Sequence, residues 1–173
     1  MSFPGALNAI VEEIAYDEAQ HVLFLRKNLG SAAVAKPAIN LNALGIGFTD
    51  YKSFLQLARA FEDTGVSAYG GAAPLISNKT YLGAAVQIAL TEALHSGLLR
   101  TAVATANVPT TPLDSLDKLP PPSGVQYFET DPQALAVVRT TSQVLAIVYH
   151  NSTAGTTMGG FFPDGVNGTI NTV

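Results

Sequence analysis

The chain has 173 residues, 47% hydrophobic and only 13% charged, with a net charge of -4; this is the length of one domain, with enough apolar material for a sizeable core. The scarcity of Lys and Arg leaves no basic footprint, which predicts no nucleic-acid partner. The absence of Cys excludes disulfides, thiolate metal sites and a cysteine nucleophile together, and low charge with positive mean hydropathy predicts surface buried against further copies, a homo-oligomer.

Residues 6 to 29 read as a first long helix. Leu7, Val11, Ile14, Glu18, His21 and Leu25 follow a 3-4 spacing and form one stripe, with Gly30 as the C-terminal stop. Residues 31 to 47, with Pro37, Asn40, Asn42 and two glycines, have no helical period and predict an extended connection. Thr49 or Asp50 then caps a second helix over residues 49 to 70, whose stripe Tyr51, Leu55, Ala58, Glu62, Gly65, Tyr69 ends at Gly70-Gly71.

After turn material from Pro74 to Lys79, a third helix is predicted over residues 80 to 104, with the stripe Tyr81, Ala85, Ile88, Glu92, His95, Leu99. Pro109, Pro112 and the run Pro120-Pro121-Pro122 forbid helix over residues 106 to 128 and predict a long surface excursion that wraps the helices. Thr130 or Asp131 caps a last helix over residues 131 to 150, with Pro132 at its first position and a stripe, Leu135, Val138, Ser142, Leu145, Tyr149, that carries no carboxylate. The tail, residues 151 to 173, is irregular, and its turn-rich Gly159 to Gly168 stretch tucks two aromatics against the helices.

No run reaches the roughly 18 uninterrupted apolar residues of a membrane span, so none is predicted. Met1 to Gly5 lack a basic segment followed by an apolar one, so no signal peptide is read and the compartment stays open. Asn-x-Ser/Thr triplets at Asn78, Asn151 and Asn167 are attributed to the Thr- and Asn-rich composition. Arg26, Lys27 and Arg100 lie towards helix C-termini, as does His150, where the helix dipole favours a cation.

The chemistry lies in a pattern that occurs twice, Glu18-Ala19-Gln20-His21 and Glu92-Ala93-Leu94-His95, with Glu62 on the helix between them. A carboxylate and an imidazole three residues apart share a helix face, so two such helices converge two Glu and two His. An ionised carboxylate in an apolar seam costs several kcal/mol unless paired or bound to metal, and here three share the seams with two imidazoles. Metal coordination by Glu18, His21, Glu62, Glu92 and His95 is the simplest reading. Oxygen ligands with imidazole suit iron or manganese, with zinc less natural. Asp17 points about 100° away from its own seam and can hydrogen-bond the far nitrogen of His95. Tyr69, two turns after Glu62, either approaches the site or is an ordinary aromatic core residue with a satisfied hydroxyl.

The segments Asp17 to Arg26, Phe61 to Tyr69 and Glu92 to His95, with the closing Gly160-Phe161-Phe162-Pro163-Asp164-Gly165-Val166-Asn167-Gly168, resemble the ferritin-like proteins that include the plant desiccation-related proteins and their bacterial relatives. The resemblance implies an all-α, ferritin-like helical bundle with long irregular loops and an extra C-terminal helix, carrying a di-iron or di-manganese centre ligated by Glu18, His21, Glu62, Glu92 and His95. It also implies an exported setting for many relatives. The family pattern opens with another acidic helix before the one that carries Glu18. Its carboxylate is therefore expected to come from a truncated start or another subunit, or to be left unreplaced where the last helix fills the gap. Two functions follow as expectations: a stress-protecting metal protein, or a non-catalytic structural protein that self-assembles through its bundle.

Overall fold

The computed structural model describes residues 3–46, 48 and 50–173. It has three long helices, α1 (Leu7–Leu29), α2 (Tyr51–Ala72) and α3 (Lys79–Thr105), and a short one, α4 (Thr141–Val148). Local chemistry explains the ends. Asp50 caps α2 by accepting from the amides of Lys52 at 2.9 Å and Ser53 at 3.1 Å, and Asn78 does the same for α3 through Thr80 and Tyr81. Thr49, the other cap expected for α2, lies outside the described residues. Gly30 closes α1 in the left-handed region, with φ 54° and its amide bonded to the Arg26 carbonyl.

Helix α3 lies between the other two and antiparallel to both: Leu55 clusters with Leu99 and Val103, Gly65 lies beside Glu92, His21 faces Glu92 and Asp17 faces His95. The apolar core is Leu55, Leu99, Val103 and Val108, packed round by Leu7, Ile14, Tyr51, Ala58, Ala102 and Ala106. No residue of α1 is buried. Helix α4 packs on α2 and, among the described residues, makes no contact with α1. It therefore does not fill the place of a further helix beside α1.

Two expectations need correction. Gly70-Gly71 does not end α2, which runs on to Ala72. The pair serves close approach instead: a Cβ on Gly71 would lie 1.8 Å from the Arg139 carbonyl oxygen, and one on Gly70 would meet Val138 at 2.5 Å. The predicted helix over residues 131 to 150 is helical only over Thr141–Val148. Asp131 caps a tight loop, accepting from the amides of Gln133 and Leu135, and Thr130 bridges to Ala136. The following stretch is drawn against α2 by the Arg139 amide, which donates to the Ser67 carbonyl at 3.1 Å. A capping box between Thr140 and Gln143 then starts α4.

Tertiary ion pairing overrides the local helix signal there. The guanidinium of Arg139, buried, grips Asp114 through two hydrogen bonds of 2.8 and 2.9 Å and Glu129 through a third of 3.1 Å. The 106 to 128 excursion does wrap the helices. Arg59 of α2 holds it through Asp117 and the Thr111 carbonyl, and Arg100 of α3 through the Tyr127, Gln126 and Lys118 carbonyls. Arg100 is thus a fully buried anchor, beyond the dipole role its position predicts. The tail docks through Phe161, whose ring meets Phe61 edge-on at 4.9 Å. Helix α3 alone among the described residues is long and apolar enough to cross a membrane by composition. Its Glu92, His95, Ser96 and Arg100 are buried within this fold, so no clear span emerges.

Burial, then the nearby charge of Asp63, push the Glu129 carboxyl up from an ordinary 4.5 to about 7, against the lowering effect of Arg139. The folded state then holds the proton more tightly than the unfolded chain, so this group's contribution falls as pH rises from about 4.5 to about 7. Glu129→Gln, which keeps the acceptor oxygen, is expected to lose less thermal stability than the parent between pH 5 and pH 8. Parallel melting curves whose pH slopes coincide would refute this.

Candidate metal centre

The site lies where α1, α2 and α3 meet. Glu18 and His21 come from α1, Glu62 from α2, and Glu92 and His95 from α3. One ligand atom from each of Glu18, Glu62, Glu92 and His95 falls within 4.8 Å of the others. His21 joins them, its Nδ1 standing 3.2 Å from Glu92 Oε1 and 3.5 Å from Glu18 Oε1. His95 Nδ1 lies 3.3 Å from Glu18 Oε1 and 3.5 Å from Glu62 Oε2. All five residues named from sequence are therefore brought together.

These contacts are not hydrogen bonds in geometry. Glu18 Oε1, His21 Nδ1, Glu62 Oε2 and His95 Nδ1 are buried with no hydrogen-bond partner, a costly arrangement for any one of them. The carboxylates also oppose one another. Burial, then a hydrogen bond with Glu92 and its charge, push the Glu62 carboxyl up to about 9, and burial followed by the charge of Glu92 raises Glu18. A cation among these atoms would relieve burial and repulsion together, so the donor set fits a bound metal.

The surroundings hold the donors in place. Asp17 Oδ2 sits 3.1 Å from His95 Nε2, a contact that favours the tautomer with its proton on that nitrogen and Nδ1 as an acceptor facing the carboxylates. Tyr69 lies near enough for Glu92 and Glu18 to act on it: burial first, then those charges, push its hydroxyl up to about 12. Gly65 leaves room for Glu92, since a Cβ there would stand 3.2 Å from Glu92 Oε2.

Sequence reasoning missed the neighbouring ionic cluster. Asp63, adjacent to Glu62, is fully buried and accepts from Arg59 at 3.1 Å, Arg100 at 2.7 Å and Ser96 at 2.6 Å. The i,i+4 spacing of Arg59 and Asp63 is its one local signal. It reads as a solvated pair until α3 covers it.

A family profile for the ferritin-like domain matches residues 1–105, the span that holds all five donors. The chain belongs to the ferritin-like domain family. Comparison with curated proteins and with solved structures finds no match. In this ferritin-like chain the match ends with α3, so the wrapping loop, α4 and the tail lie beyond it.

Asp17→Asn tests how His95 is oriented. The carboxamide can present its NH2 group to Nε2, so the neutral ring is expected to shift population towards the Nδ1–H tautomer. Nitrogen-15 chemical shifts of the His95 ring, compared between parent and variant without added metal, read this directly. Identical shifts would mean that Asp17 does not set the tautomer.

Proposed function

We propose that this protein binds a carboxylate-bridged pair of iron or manganese ions through Glu18, His21, Glu62, Glu92 and His95. The observation that carries the reading is the convergence of four buried, unbonded donor atoms, from Glu18, His21, Glu62 and His95, on one small volume. Buried polar atoms without partners are rare in folded proteins, and each calls for an explanation such as an ion. The three carboxylates would neutralise most of the charge of two divalent ions, and the two imidazoles would complete the donor set. Such a pair supplies one-electron chemistry with dioxygen or peroxide when bound. The resemblance to desiccation-related proteins makes protection against oxidative or drying stress the natural setting.

The chain's own residues set the conditions. Glu62 must give up its proton to ligate, because burial holds that proton to about pH 9. Asp17 keeps His95 Nδ1 available as a ligand. Glu18, with 43% of its side chain exposed, is the donor through which an ion or oxidant enters. The expected outcome is metal bound by the purified parent after iron or manganese is supplied, with most of it lost in a Glu18→Ala/His95→Ala double variant. Elemental analysis of the folded, desalted proteins decides, and a parent without appreciable metal ends the proposal.

A second reading, a structural protein that assembles with itself, is favoured by a separate observation. Tyr16 and Leu23 on α1, and Leu90 and Leu94 on α3, are exposed, Leu94 to 74%, and no charged residue stands between Lys79 and Arg100 except the buried Glu92. Apolar surface of this kind is covered in stable proteins. A homo-oligomer is expected in solution, and Leu90→Lys with Leu94→Lys is expected to dissociate it in sedimentation equilibrium. A monomeric parent would remove this reading without touching the metal one.

A further inference from the structure

A cavity of about 260 Å³ lies beside the donor cluster. Val11 and Ile14 of α1, Ala58 and Phe61 of α2 and Leu99 of α3 are among its walls, and Glu62 is the only ionisable group among the described residues that line it. It is half open to solvent, and apart from that one carboxyl its walls are apolar. Apolar cavities of about 150 Å³ hold benzene, so one of about 260 Å³ takes on the order of ten non-hydrogen atoms. A single polar end suits it best, since one hydroxyl can pair with Glu62 while the remainder lies against aromatic and aliphatic walls.

We propose that this cavity binds a small, largely apolar alcohol, with its hydroxyl at Glu62 and its hydrocarbon body between α1 and α2. Binding depends on the cavity alone, whereas a role as the substrate class of the adjoining centre rests on the metal reading given above. Phe61 and Leu57 also line a second, larger cavity, of about 920 Å³, on the adjoining face of α2. The Phe61 ring is partly exposed and packed edge-on against Phe161, so it is held as a wall common to both cavities.

The test uses the full chain, freed of metal with a chelator, and 4-fluorobenzyl alcohol followed by fluorine NMR. Saturable binding at one site is expected, weakened by more than about tenfold in Ala58→Phe, which fills the cavity from α2, and in Val11→Phe, which fills it from α1. Competition by straight-chain alcohols on the unmodified chain needs no variant to fold. Affinity is expected to rise from 1-butanol to 1-octanol and to fall at 1-dodecanol, which exceeds the volume. Affinity that keeps rising with length marks unspecific partition and overturns the proposal, as does probe binding that disappears in step with self-association, which would hand the groove to a second copy. Manganese uptake measured on the same samples separates the two readings. Uptake without probe binding overturns the cavity proposal alone, and probe binding without uptake overturns the metal reading alone.

Discussion

The carboxylate of Asp63 fixes the arrangement on which everything else rests. It has no contact with water and takes three donors, from Arg59 on its own helix and from Ser96 and Arg100 on α3. Removing one partner of a buried ion pair costs about 3–5 kcal/mol, because the other charge is left uncompensated. That penalty locks α2 and α3 into one register. In that register Glu62, the preceding residue, faces Glu92 and His95, and Gly65 admits the Glu92 carboxylate. The same two arginines reach outward to Asp117 and to loop carbonyls, so one cluster sets both the register of the helices and the path of the wrapping loop.

Two polar clusters therefore lie side by side in the bundle and differ in kind. Around Asp63, three guanidinium groups and several carboxylates pair with one another, with only Arg59 Nε and Arg139 Nη1 left unpartnered among the described residues. Around Glu62, four atoms of the three carboxylates and two imidazoles are left without hydrogen bonds. An ionic cluster whose opposite charges match gives specificity of packing. A cluster short of positive charge has the properties of a ligand site. The cavity next to Glu62 sharpens the contrast, since its other walls are apolar and offer that carboxyl no partner.

Much of this was legible in the chain. Glu18, His21, Glu62, Glu92 and His95 recur at helical spacing within apolar stripes, and periodicity carries directly into which residues share a face. The helix end at Asp50 was legible, where the side chain closes its own backbone, and so was the stop at Gly30; the cap at Thr140 was not read. Helix ends were not legible at Gly70-Gly71 or after Asp131. There the local signals for a stop and a start are ordinary, and the deciding contacts come from Arg139, far along the chain, approaching the α2 backbone. Arg100 was misread for a similar reason, since a cation near a helix end looks the same from sequence whether it faces solvent or a buried Asp63.

The sequence by itself determined which residues could meet on one helix face, and hence the composition of the donor set and the all-helical class, because helix geometry is a property of spacing along a single segment. Only the tertiary structure decided that Asp63 rather than Glu62 would be compensated by arginine, that the segment after Asp131 would stay out of the helix, and that a cavity would open between α1 and α2. Those outcomes depend on which charges and volumes from distant segments reach the same place, and spacing within one segment carries no information about that.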